Sequence, residues 1–519
     1  MATDVLYRTR PRLRPETAAW LPILVLAGVA LAARLPQLFS PNLLLEGDEC
    51  IVALMGLHLR HGHAVPLFMY GQHYGLAIVE VPVAALAFLF AGAGAVPLKL
   101  AMLAVWFAGV TCYFLAFSRV LGLLRALIAT LLLVLMPAWA AMSMKAWSGY
   151  LTAFTAAGLV IHLVARRDDP SIGRWWLAGA ATAIVFFAQP LWLPGLLPFV
   201  VYGLWSDRRP AASIGYGIAG AAAWTAIAGA AALSATGAVE TWTRPAAGNL
   251  QLIASLPALA RQIYVDLTGA SYLHAAIPPG PVTAAVAATW MVVLAVAALL
   301  QIYRVVSGRY LIWSHLLFAS ASFTVVANWV LLDVRDARYL LALDAPLVYL
   351  AAVEVSDLID RHVLPRRLCV AIVALFAAAQ VIAMSEFARY TFMWWSNAPN
   401  APSESRSLQH VFGYLRSRGV AHAYALNPLL QWTVSFYSGE TVVARWKADR
   451  DRYPPYIDAV DGALAAGAPV AVVGYAAYSD GLERLVPDPE AITVIDGKYL
   501  VYVGADRALL RRAGFHLTR

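Results

Sequence analysis

Charge is what this chain has least of. Asp, Glu, Lys and Arg make up 13% of its 519 residues, against about 25% in soluble domains. With 61% hydrophobic residues and a mean hydropathy of +0.67, the composition excludes a soluble globular protein and predicts a polytopic α-helical membrane protein. Cysteine is almost absent. Cys50, Cys112 and Cys369 are too few and too far apart for a disulfide framework, and the last two fall inside apolar runs as buried small hydrophobes. The sequence contains no internal repeat and no low-complexity tract. Its net charge of +8 would suit nucleic acid, but the arginines form neither a stripe nor a patch. They are scattered between apolar runs, as in loops facing an anionic inner leaflet, so no nucleic-acid partner is expected.

What is present is a series of apolar runs. Candidate spans lie at 19–36, 97–118, 122–141, 150–165, 175–189, 191–205, 213–234, 283–304, 311–332, 340–356 and 368–385, about eleven in all. Gln189-Pro190 breaks the pair at 175–205. The run 75–94 is long enough to cross, yet holds Glu80 and Pro82. Arginine placement arbitrates. If 75–94 stays outside, the inner side receives Arg8–Arg14, Arg119, Arg125, Arg166, Arg167, Arg174, Arg208, Arg209, Arg304, Arg309, Arg361, Arg366 and Arg367. The outer side keeps Arg34, Arg60, Lys99, Lys145, Arg244, Arg261, Arg335 and Arg338. Letting 75–94 cross would reverse that bias, so it is expected as a helix packed at the outer face.

The resulting organisation is a cytoplasmic tail 1–18, a transmembrane domain 19–385 with outer loops 37–96 and 235–282, and an outer domain 386–519. RTRPRLR followed by an apolar run also has the form of a signal peptide, with Ala30-Leu31-Ala32 as a cleavage-like site; an uncleaved first span is the expectation. In the last segment SLQHVFGYLRSRG reads as helix, and HAYAL, PVAVVGY and KYLVYVG read as strands, a small α/β domain.

The stretch Leu43–Glu80 gathers the chemistry. Glu46, Asp48 and Glu49 stand together before Ile51, Val52, Leu54, Met55 and Leu59, which recur at helical spacing. An acidic pair at a helix start is either a cap favoured by the dipole or, if it faces a cavity, a general base for an attacking hydroxyl. Glu46 is expected to be solvated. Glu80 either shapes the same site or reaches the interface from an apolar helix. His58, His61, His63 and His73 are close in sequence, but no strict ligand motif is present and no metal is assigned. Tyr70, Gln72 and Tyr74 alternate around Gly71 and Gly75, as belt residues or as a wall for a sugar or prenyl group. Lys145, Arg335 and Arg338 are outward cations that oppose the positive-inside bias. Binding a lipid phosphate would explain them.

Gly47-Asp48-Glu49 after the first span, the run YGQHYGLAIVEVPVAALAFLF into Gly92–Gly94, and Arg338-Tyr339-Leu340-Leu341 before Pro346 together resemble the GT-C class of polyprenyl-phosphate-sugar-dependent glycosyltransferases. Protein O-mannosyltransferases and lipid A aminoarabinose transferases are the nearest in pattern, over roughly residues 15–390. The resemblance implies an inverting transfer from a polyprenyl-phosphate sugar at the outer face of a bacterial inner membrane. It makes Asp48 the base that activates the acceptor hydroxyl, with Glu49 and Glu80 supporting it, and it requires no cofactor. The resemblance carries over neither the sugar nor the acceptor, which is left open between a glycan, a lipid and a protein. Ile51 stands where aminoarabinose transferases carry arginine, and Met69-Tyr70-Gly71-Gln72 where they carry Lys-Pro-Pro. Phosphate binding is therefore assigned to Lys145, Arg335, Arg338 and His73, and sugar or lipid contacts to Tyr70, Gln72, Tyr74 and Tyr339. The rival readings are a transporter or flippase of a lipid-linked sugar, and a glycan polymerase or ligase.

Overall fold

A computed structural model describes residues 20–40, 43–147, 149–166, 171, 173–234, 256–269, 279–332, 337–363, 365–386, 404–448, 451–477 and 481–518. Arg335 and most of the loop 235–282 lie outside these residues, as does the tail 1–18.

Each expected span has a helix in its place. These are α1 (Trp20–Ala32), α4 (Ala95–Leu121), α5 (Leu123–Val134), α6 (Tyr150–Ala165), α7 (Gly173–Ala188), α8 (Leu193–Trp205), α9 (Pro210–Ser234), α11 (Pro281–Val306), α12 (Ile312–Leu332), α13 (Asp344–Asp360) and α14 (Arg366–Glu386). Between them stand α2 (Gly47–Arg60), α3 (Glu80–Ala91) and α10 (Leu256–Leu267). Among the described residues, 5 helices are long and apolar enough to cross a membrane, and six more apolar helices have 10–17 residues. The break between α7 and α8 falls where expected: Gln189 is extended and Pro190 opens a 3-10 turn, Pro190–Trp192. The helix α3 has 12 residues, about 18 Å, short of a hydrocarbon core of about 30 Å. The helices α1 and α5 are as short, so length alone does not sort crossing from non-crossing helices.

The membrane-domain core is aromatic where α4, α6 and α13 meet. Trp106, Trp139 and Phe154 pack with ring centroids 4.6–6.2 Å apart, and Phe117 stacks on Tyr349 at 3.9 Å. Arg34 is fully buried beside them. It donates to the carbonyls of Val134 (2.8 Å) and Trp139 (3.2 Å) and to Ser143 Oγ (2.9 Å), with its guanidinium 4.6 Å above Trp106. Its bond to Val134 satisfies a carbonyl that the end of α5 leaves open.

From Glu404 onward the chain forms a five-stranded sheet in the order β2-β1-β3-β5-β4. The strands are β1 (His422–Ala425), β2 (Val443–Arg445), β3 (Val470–Tyr475), β4 (Thr493–Ile495) and β5 (Tyr499–Val503), with β1 parallel to β2 and β3 and the rest antiparallel. Asp496-Gly497, at φ 53° and 66°, turns β4 into β5. Helices α15 (Glu404–Ser417) and α16 (Leu430–Tyr437) cover one face, and α17 (Pro454–Ala465) and α18 (Arg507–Arg512) the other. The two domains interdigitate. Leu44, just before α2, belongs to the core under α15 and α16, while Trp432, Phe436 and Tyr456 belong to the membrane-domain core.

Candidate active site

The site is built on the start of α2. Its N-cap is Glu46, and Glu46 and Glu49 close a reciprocal capping box in which the Glu46 N–H donates to Glu49 Oε2 at 3.3 Å. Capping therefore falls on Glu46 and Glu49, and Asp48 at the second helical position is left out of it.

Both capping carboxylates also anchor cations. Glu49, fully buried, accepts from Lys99 Nζ and, at 3.1 Å, from the Ala146 N–H, and it lies 3.9 Å from Lys145 Nζ. Glu46 takes Lys145 at 2.7 Å and the Trp147 indole N–H. Solvation was expected for Glu46, but it is buried, because Lys145 and Trp147 fold over it. Burial pushes the Glu46 carboxyl up, against the pull of Lys145. Burial would raise Glu49 too, but Lys99, Lys145 and the Ala146 N–H outweigh it and hold Glu49 below the usual carboxylate range. Burial brings Lys145 down to about 8, with Glu46 and Glu49 opposing.

Trp147 links this cluster to the late arginine. Lys145 Nζ stands 4.3 Å from the indole ring and Arg338 Cζ 4.6 Å. Arg338 sits on the 3-10 helix Ala337–Leu343, and Tyr339 beside it is 5.2 Å from its guanidinium. Lys145 and Arg338, assigned to phosphate in the sequence, are thus neighbours of the α2 start although they stand far from it in sequence.

The remaining expected residues divide. The Asp48 side chain is 33% exposed and faces Arg452 of the C-terminal domain. Glu80 is fully buried and accepts from the N–H groups of Gly149 (3.2 Å) and Thr152 (3.0 Å) and from the Thr152 hydroxyl, so it binds the N-terminus of α6. Tyr70 donates or accepts at His58 Nδ1 (2.8 Å), and Gln72 donates to the Tyr74 hydroxyl at 3.3 Å. His73 is half-buried and makes no hydrogen bond or ion pair among the described residues. His58 instead turns to Glu440 (3.0 Å) and stacks on Tyr453 (5.0 Å), while His61 and His63 stay exposed. Among the described residues no group of three or more His, Cys, Asp or Glu is placed to hold a metal ion.

Sequence reasoning left out Lys99 as a partner of Glu49, and it left out Trp147, Glu440, Arg452 and Tyr453. The first had a signal: a lysine at the mouth of an apolar run needs a counter-ion. For Arg452, 404 positions from Asp48, local pattern carries no signal.

No family model and no curated protein sequence matches this chain. Solved structures do. The crystal structure of ArnT, a lipid A aminoarabinose transferase, from Cupriavidus metallidurans bound to undecaprenyl phosphate aligns over 95% of this chain and 99% of its own, with TM-score 0.58 and 14% identity. The Archaeoglobus fulgidus oligosaccharyltransferase in complex with Zn and sulfate aligns over 89% of this chain and 69% of its own, with TM-score 0.50 and 12% identity. Both are GT-C glycosyltransferases, and this chain shares their fold; its own architecture is a polytopic helical membrane domain followed by a small α/β domain.

Proposed function

We propose that this protein is a membrane glycosyltransferase that moves a sugar from a polyprenyl-phosphate donor to an acceptor hydroxyl, with inversion, and that Asp48 is its general base. Asp48 accepts the hydroxyl proton as the acceptor oxygen attacks the anomeric carbon. The bond from that carbon to the phosphate oxygen breaks, and polyprenyl phosphate leaves with the electron pair. A phosphate is a stable leaving group, so the protein's main tasks are positioning and charge stabilisation. Arg338 and the buried Lys145, both at Trp147, supply positive potential beside the α2 start, and the N-terminus of α2 adds its dipole. Tyr70, Gln72, Tyr74 and Tyr339 form the aromatic and amide surroundings for sugar or lipid. Glu49 and Glu80 position the site rather than exchange protons, because their oxygens are taken up by Lys99, Ala146, Gly149 and Thr152.

The observation that carries the reading is the exception Asp48 makes. Of the three acids at the start of α2 it alone stays outside the capping box and the lysine cluster, and it alone keeps a third of its side chain exposed. The ArnT-like fold over nearly the whole chain supports the class. The arginine distribution supports a multi-pass inner-membrane protein with this site and the C-terminal domain on the outer, periplasmic side.

The test is Asp48→Asn with purified protein and a panel of polyprenyl-phosphate sugars, following release of polyprenyl phosphate. Turnover is expected to fall by about two to four orders of magnitude with the protein still folded. Turnover near wild type would overturn the assignment of the base.

A further inference from the structure

The C-terminal domain reaches into the site at one point. Arg452 Nη1 lies 3.4 Å from Asp48 Oδ1, and the two side chains are 23% and 33% exposed. This differs from Lys99 and Lys145, which are fully buried against carboxylates. A long, partly solvated ion pair is weak and readily exchanged. A guanidinium meets phosphate with paired charge-assisted hydrogen bonds.

The approach of Arg452 is built into both domains. Gly71, at φ +68°, faces it so closely that a Cβ there would stand 2.5–2.6 Å from the Cα, Cβ and Cγ of Arg452. On either side the backbone is pinned. Asp451 accepts from Gln431 at 2.9–3.0 Å, and Tyr453 packs on Tyr70 (4.7 Å) and His58 (5.0 Å). The residues around Arg452 are held, and its side chain keeps 23% of its surface exposed beside the one partly exposed acid of the α2 start.

We propose that Arg452 is a phosphate-binding residue of this site, supplied by the C-terminal domain. Before substrate binds it holds Asp48. The phosphate of the lipid-linked donor then takes over the guanidinium, and the Asp48 carboxylate is released to accept the acceptor proton. The donor's arrival thereby switches on the base. This rests on the glycosyl transfer proposed above, and it assigns the C-terminal domain a part in donor binding.

Binding of a polyprenyl phosphate in detergent micelles tests it, with inorganic phosphate as competitor. Arg452→Gln is expected to weaken lipid binding about tenfold, Arg452→Lys to recover part of the loss, and inorganic phosphate to compete less well in Arg452→Gln than in wild type. Asp48→Asn removes the carboxylate charge facing Arg452 and is expected to tighten binding several-fold, and the tightening should vanish when Arg452→Gln is added. Wild-type affinity in Arg452→Gln, or a tightening by Asp48→Asn that persists without Arg452, overturns the assignment of Arg452 and leaves the glycosyltransferase reading intact. If Arg452→Gln does not fold, the Asp48→Asn measurement alone decides: unchanged affinity overturns the assignment. A wild-type protein that binds no polyprenyl phosphate overturns both readings.

Discussion

Lys145 shows what burial does to a single charge. Its ammonium is enclosed by Glu46, Glu49 and Trp147, and burial brings its pKa down to about 8. The same depression gives a pH dependence with a definite sign. Between about pH 8 and the ordinary lysine value of about 10.4, the unfolded chain holds a proton that the native state has lost. Stability from this group therefore rises with pH across that window. Phosphate binding, if it draws on the Lys145 charge, falls in the same window. The expected outcome is donor affinity that declines above about pH 8 without a parallel fall in melting temperature from this group; affinity flat to pH 10 would remove Lys145 from the phosphate site. At this scale the sequence showed which residue types were unusual, an outward lysine and a run of three acids. It did not show their partners, because Lys145 meets Glu46 only when two distant turns are folded together.

Helix ends decide the next level. The sequence GlyAspGlu after the first span suggested a cap, and α2 does begin there, but the reciprocal cap joins Glu46 and Glu49. The three-residue spacing of a capping box was present in the sequence; what separated a capping acid from an open one was the fold of residues 145–147 over the helix start. Glu80 illustrates the converse. It opens α3, yet its carboxylate serves the first turn of α6, binding the backbone of Gly149 and Thr152. Glu80→Gln keeps an acceptor oxygen and is expected to change stability little. Glu80→Ala strands buried N–H groups at a cost of about 1–3 kcal/mol. Neither is expected to lower turnover as far as Asp48→Asn does; a collapse of kcat in Glu80→Gln, with melting temperature unchanged, would instead place Glu80 in the chemistry.

For the molecule as a whole, the two domains are bound through a shared core and a polar clamp. Leu44 is inserted under the C-terminal helices, Gly47 lets Leu429 approach to 2.6 Å of where a Cβ would stand, and His58 joins Glu440, which also accepts from Tyr456 at 2.7 Å. His58→Gln and Glu440→Gln, singly and together, are expected to show a coupling of about 0.5–3 kcal/mol in unfolding. Additive effects would mean that the clamp does not hold the domains. The sequence by itself determined the class of protein, the helical runs in their order and the strands β1, β3 and β5, because these follow from apolar periodicity and the cost of burying charge. It also singled out Asp48, Lys145 and Arg338, because charged groups beside long apolar runs stand out. Only the tertiary structure decided that Glu46 is buried, that Glu80 caps another helix, that His58 faces the C-terminal domain, and that Arg452 reaches Asp48. Each of those depends on contacts between segments far apart in the chain, and a local pattern holds no record of which distant backbone will pass beside a glycine.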